Sequence, residues 1–452
     1  MINGNNDLSD RETQILEEVR SWADDGLGLK PTKVHEAVRL EGDVQLALKE
    51  EPWAIDQCDD KGYTPLHVAV LRDWVEGLEQ LIAARADLDQ RTWGGSTPLM
   101  LAAMNGYTSS VKSLLRITCR VDQQDDSGLT ALHHAVWDAS APTVALLLAA
   151  GASPMKRQAW GRTPLHYLAV SKADRKTADD IVSLLRVKGC DLESVDMKGT
   201  TAALHALYSS NLPVIQSLTD AGASLHGIDD ALQTVLHRAA RFCDLDTMCF
   251  LHTLELRGIN TELRDVSGMT AWERLGQLMQ TYEWELVGRE RPVYAAERDA
   301  FMILHNGVLF RNLQDEIDIL ERLFQAVDEQ DTASSSTDLC SLIEQKEDWK
   351  EPNLAAWYRG VNGLIREGSW ELAAAALEDR FDELHSKKRS LTRKIKLWEA
   401  SSDEGSEEDE GDEECEGSDG DEGSDGDDGG EDGGEEEAEG AEKDRNSMEL
   451  YL

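Results

Sequence analysis

The chain has 452 residues, 29% of them charged, and a net charge of −43 at pH 7. Such an excess of carboxylates disfavours direct capture of DNA or RNA phosphates, and the length is more than one compact core ordinarily fills, although a solenoid of stacked units can reach it. Seven cysteines, odd in number, irregularly spaced and without a C-x-x-C, argue against a disulfide framework or a zinc site and suit a reducing compartment, the cytoplasm or the nucleus.

In chain order, residues 1–32 read as a helical extension, with Ile15, Val19 and Trp22 on one face before Gly26-Leu27-Gly28. No basic region followed by an apolar run opens the chain, so no secretory signal is expected. From Val34-His35-Glu36-Ala37 a degenerate unit begins that lacks a Thr-Pro entry and reads as a cap. A phrase then recurs with a fixed period: Thr64-Pro65-Leu66-His67, Thr97-Pro98-Leu99-Met100, Thr130-Ala131-Leu132-His133 and Thr163-Pro164-Leu165-His166, each starting 33 residues after the last. Weaker copies follow at Leu204-His205, Thr234-Val235-Leu236-His237 and Thr270-Ala271-Trp272. Thr suits a helix N-cap and Pro the first helical position, where a missing N–H costs nothing. Apolar second helices such as Val144–Leu148 end in Ala150-Gly151-Ala152 or Ala221-Gly222-Ala223, with glycine in the left-handed helix stop. A further turn precedes each phrase, at Gly62, Gly95, Gly128, Gly161, Gly199 and Gly268. One such unit cannot bury its apolar face alone, and stacking supplies the other half.

Period, phrase and flanking glycines over about six units resemble the ankyrin-repeat family. The resemblance covers residues 33–288 and implies an all-α solenoid with short β-hairpin fingers and a concave binding groove. It also implies that the phrase histidines support the loops between units. They repeat with the unit and so do not converge as a metal or catalytic site would. Two units are lengthened, around Ser171–Asp180 and Thr253–Gly258, either as binding loops or as tolerated loop drift.

Residues 289–400 change character. Phe310, Leu313, Ile317, Leu320, Phe324 and Val327 form one heptad seam, and Trp370, Ala374, Leu377, Phe381, Leu384, Lys388, Leu391, Ile395 and Trp398 another. The first is acidic and the second ends in a basic run, so an antiparallel helical hairpin is expected, with a shorter helix near Leu354–Ile365 and a flexible link over Asp328–Asp338; a dimerising coiled coil is the alternative. The run Lys387-Lys388-Arg389 to Lys396 reads either as a solvated helix face or as a nuclear import signal. Residues 401–452 read as a disordered acidic tail: 401–440 hold 22 Asp or Glu and no Lys or Arg, about half the net charge. Such a tail solubilises, binds basic client proteins, or competes for the chain's own basic surfaces.

No phosphate loop, H-E-x-x-H, G-x-S-x-G or kinase signature occurs, so neither catalysis nor a cofactor is expected. No apolar stretch approaches the length of a membrane span. The expected function is protein–protein binding as an adaptor or scaffold, the alternative a nuclear chaperone or chromatin-associated factor acting through the tail. The candidate contacts are Arg91, Trp93, Arg157, Trp160 and Arg162 on the fingers, and Arg72, Trp74, Met104, Tyr107 and Trp137 on or beside the inner helices. Trp, Tyr and Arg are the types enriched in interface hot spots. For Trp93 and Trp160 the competing reading is local packing against neighbouring fingers.

Overall fold

A computed structural model describes residues 31–117, 119–280, 295–349 and 351–404, with side chains to residue 396. The expected N-terminal helical face, the boundary at 288 and the acidic tail beyond Glu404 lie outside the described residues. Two compact units divide the chain, Met1–Ile395 and Lys396–Leu452, and the repeats belong to the first.

Residues 31–280 form pairs of short helices. Inner helices are α1 (Lys33–Arg39), α3 (Pro65–Leu71), α5 (Pro98–Met104), α7 (Ala131–Trp137), α9 (Pro164–Leu168), α11 (Ala202–Tyr208), α13 (Val235–Phe242) and α15 (Ala271–Gln280). Outer helices are α2 (Val44–Glu50), α4 (Val75–Ala83), α6 (Thr108–Leu115), α8 (Ala141–Ala149), α10 (Arg175–Val187), α12 (Leu212–Asp220) and α14 (Leu245–Thr253). Each inner helix packs on the next and most pack on their own outer partner, so one continuous core runs from Val34 to Val308.

The recurring phrase starts these helices as expected. Thr64 Oγ1 accepts the amide of His67, and His67 Nδ1 in turn accepts the amide of Thr64, so two orphan donors are satisfied reciprocally. The same box forms at Thr130–His133, Thr163–His166 and Thr234–His237. It also forms at Thr32–His35, so the first unit has the Thr entry that its missing Pro obscures. Because Nδ1 is an acceptor in each box, the ring proton sits on Nε2, which donates to a carbonyl of the following unit. His35 reaches Tyr63 O at 2.9 Å, His67 Ser96 O at 3.3 Å, His133 Arg162 O at 3.3 Å, His166 Thr200 O at 3.0 Å and His237 Met269 O at 3.2 Å. Met100 keeps half of this arrangement: its Sδ lies 3.4 Å from Thr97 N, but a thioether has no proton to pass on.

His205 does not belong to this ladder, which corrects its reading as a phrase histidine, and neither does His134. They lie one position further along, where Nε2 meets Asp125 at 3.2 Å and Asp196 at 2.9 Å. Arg238 and Arg274 take the same place against Asp229 and Asp265. Four fingers are thereby tied by an acid to the inner helix nine residues on.

Both lengthened units are explained by helix contacts. Around 171–180 the extra residues begin the 13-residue α10, capped by Asp174, and Arg175 reaches Gln216 and Asp220 on or beside the next outer helix. Around 253–260 they form a clasp for the C-terminal helices.

Among the described residues, those helices number four: α16 (Ala295–Asp328), α17 (Thr332–Asp348), α18 (Pro352–Arg366) and α19 (Trp370–Glu404). The expected link at Asp328–Asp338 is mostly helix. Asp331 caps α17 by accepting the amides of Ala333 and Ser334, and Ser335 is wholly buried. A serine run reads as a loop by composition; here it is the entry and buried face of a helix. The hairpin expectation holds for the long pair, which run antiparallel: Phe310 meets Lys388, and further along α16 Glu316 meets Arg380. The seam residues Leu313, Ile317, Leu320, Leu377, Leu384 and Leu391 share one core with α17 and α18. These seam residues are therefore buried within the chain, and Phe310, Phe324, Trp370, Ala374, Phe381 and Ile395 pack against them half-buried.

Candidate protein-binding surface

The fingers are tight loops rather than extended strands; Val195 and Thr201 form a single isolated bridge. In most of them one aspartate builds the turn. Asp125 Oδ1 accepts the amides of Ser127 at 2.9 Å and Leu129 at 2.8 Å, and Asp59, Asp196 and Asp265 act alike. The glycine at each tip has positive φ, from 68° to 82°. At Gly128 the need is twofold, since an added Cβ would sit 2.9 Å from the Ala159 amide nitrogen. Leu232 holds φ 58° in the sixth finger, where the others carry glycine.

Backbone bonds join successive fingers: Asp126 N donates to Gly94 O, Ala159 N to Ser127 O, Met197 N to Trp160 O, Asp230 N to Lys198 O and Val266 N to Ala231 O, at 2.9 to 3.4 Å. A connected row results.

The two tryptophan-bearing fingers lack the turn aspartate. Thr92 and Gln158 stand in its place and accept the amides of Ser96 and Trp160. An arginine precedes each. Arg91 donates to Gly95 O at 3.0 Å and to Asp126 at 2.7 Å; Arg157 donates to Gly161 O at 2.8 Å and to Val195 O. Gln124, midway between them at the same 33-residue spacing, braces Gly128 O in the same way. These arginines hold the fingers in place. Arg162 turns inward, 19% exposed and 3.6 Å from Asp196, so its head belongs to the interior of the array and not to a partner-facing surface. Its position after the finger glycine, next to the buried Thr163, is the signal the residue type alone did not convey.

Trp93 is 66% exposed, with one edge against Gly62 of the preceding finger, so local packing and exposure are both realised at this residue. Trp160 is 47% exposed. Met197 and Val266, each 68% exposed, extend the apolar tips and were missed from sequence. Both lie two residues before the finger glycine, as Trp93 does, and that register would have found them.

The remaining candidates sit at the opposite ends of the inner helices, about 10 Å away for a helix of seven residues. Trp74 lies over Gly77 of its own helix, where a Cβ would overlap the ring, and packs on the core. Met104 also packs on the core, and Tyr107 and Trp137 are half-buried. Arg72 faces Glu41 at 3.8 Å with both side chains exposed. The ten candidates therefore divide into a finger row and a separate, mostly packed row.

Burial dominates the ionisation of the ladder. It pushes His67 and His166 down to about 4 and His133 to about 3, so these rings are neutral donors at pH 7. Burial opposes the charge of Asp196, but His205 and the amides of Thr200 and Lys198 outweigh it and hold this carboxyl well below its usual range. Among the described residues no three His, Cys, Asp or Glu side chains converge as metal ligands, and no described helix is long and apolar enough to cross a membrane.

Family models agree with this architecture. Models of ankyrin repeats match residues 34–125 and 99–176, residues 203–252, and, as a single repeat, residues 160–197. Solved structures similar to the chain include the human ASB11 ankyrin repeat domain, at 22% identity over 54% of this chain and 98% of that one with a TM-score of 0.43. Another is the ankyrin repeat domain of Bcl-3, described as a unique member of the IkappaB protein family, at 26% identity over 45% and 92% of the two chains with a TM-score of 0.40. No curated protein matches the chain. Period, capping boxes, the histidine ladder and the matched models agree: residues 34–197 and 203–252 are built from ankyrin repeats.

Proposed function

We propose that the protein is a non-catalytic adaptor or scaffold that binds a protein partner along its finger row and the adjoining concave face. One observation carries this reading: Trp93 and Trp160 are 66% and 47% exposed on fingers that arginines and inter-finger bonds hold in place. A tryptophan so presented loses little conformational entropy on binding, and covering it contributes about 3 kcal/mol before ordering costs. The test is affinity purification from native lysate followed by mass spectrometry, with the full chain and its Trp93→Ala/Trp160→Ala variant. A discrete set of partners lost from the variant is expected. An identical set from both chains sinks the reading.

The 22 carboxylates within residues 401–440 favour a second reading, in which basic clients bind the tail. Capture would then depend on residues 401–452 and weaken steeply with salt, whatever stands at Trp93 and Trp160.

A further inference from the structure

Where the sixth finger faces α17 there is a cleft of about 1050 Å³. Ile228, Leu232, Ile259 and Trp349 give it apolar walls, and Asp230, Glu344 and Asp348 are exposed carboxylates on its lining. A fourth acid there, Asp229, is already neutralised by Arg238 at 2.6 Å. Among the described residues that line it, none is Lys or Arg. Beyond Trp349, which lines both, a neighbouring cavity holds the opposite balance, with Lys346, Arg380, Lys387 and Lys394 against Glu262, Glu316 and Glu351.

Two local choices at the cleft work against the fold's own preferences. Leu232 keeps a left-handed backbone that favours glycine, and its side chain lines the cleft where glycine would leave a gap. Glu344 and Asp348 lie in the last two turns of α17, where the helix dipole favours cations. Such departures from local preference are expected where a site needs particular atoms.

We propose that this cleft receives a Lys- or Arg-bearing segment of the protein partner. The alkyl stem lies on Leu232 and Trp349 while the cationic head meets Asp230, Glu344 and Asp348, a division of labour that suits amphipathic side chains. The proposal rests on the protein-binding reading above and adds the partner's chemistry.

The probe is a phage-displayed library of random dodecapeptides, selected on the full chain at about 0.3 M salt to screen exposed long-range charge. The Glu344→Lys/Asp348→Lys chain serves as competitor. Both chains carry the same acidic tail, so tail-binding peptides cancel, and lysines near the end of α17 suit that helix. Peptides rich in Lys or Arg beside an apolar residue are expected, bound at least tenfold more weakly by the reversed chain. Leu232→Gly, which restores the residue of the sister fingers, is expected to fold normally and to weaken the same peptides. Peptides that bind parent and reversed chains equally, or that lack Lys and Arg, overturn the proposal. In that event, native partners still lost from Trp93→Ala/Trp160→Ala would leave the binding reading intact, so the two failures are distinguishable.

Discussion

At the scale of residues, the histidine ladder couples stability to pH. Each ladder ring is neutral in the fold, whereas in the unfolded chain it protonates below about pH 6.5. The unfolded state thus binds more protons as pH falls, so stability is full above the unfolded pKa and is lost from there down towards pH 4, the level to which burial pushes His67. At pH 5 the loss is about 2 kcal/mol for a single such ring. Met100 shows that the position tolerates a group without a proton. His67→Met should therefore cost about 1 kcal/mol at pH 7, for the lost bond to Ser96 O, and be the more stable chain at pH 5. Urea denaturation at both values checks this; parallel pH curves for the two chains would show that His67 carries none of the dependence.

At the scale of elements, the C-terminal helices enclose an ion cluster. Glu316, 4% exposed, accepts from Lys346 Nζ at 2.6 Å, Tyr358 Oη at 2.6 Å and Arg380 Nη2 at 2.7 Å, from three other helices. Burial acts against its charge, but the two cations prevail and hold its pKa below the usual carboxylate range. Lys346, 2% exposed, has the ring of Trp349 on another side at 4.1 Å. Removing the acid alone leaves that buried ammonium with only the longer contact to Glu351 at 3.9 Å, so Glu316→Leu is expected to cost about 3–5 kcal/mol. Adding Lys346→Met should recover at least half, since an apolar pair of similar volume is often neutral. Thermal melts of the two singles and the double complete the cycle, and a double variant worse than either single counts against it. The long helices were legible because their seams repeat over several heptads. The cluster was not: Glu316 sits beside Asp315 and Asp318 in an acidic stretch that reads as solvated surface, and Lys346 lies in a helix that a serine run disguised.

At the scale of the whole molecule, sequence is a good guide to what repeats and a poor one to what happens once. The inner helices, their caps and the finger glycines were visible because each is repeated at a fixed spacing. The clasp at 254–260 was not, because its partners lie more than fifty residues away and in no repeated register. Asn312 Oδ1 accepts the Gly258 amide at 2.8 Å and its Nδ2 donates to Ile259 O at 2.9 Å, while Trp349 Nε1 donates to Gly258 O at 2.7 Å and Asn260 Nδ2 to Trp349 O at 2.7 Å. With Trp272 stacked on Phe301, these bonds make the helical bundle the end cap of the array. Asn312 is buried, so Asn312→Ala strands a donor and an acceptor of the clasp at a cost of about 1–3 kcal/mol. In a solenoid, each unit leans only on its neighbours, so the loss should stay local. Hydrogen exchange is expected to quicken over residues 235–260 and to remain unchanged over 65–150. Faster exchange along the whole array would mean that the bundle stabilises all the units cooperatively, not the last one alone.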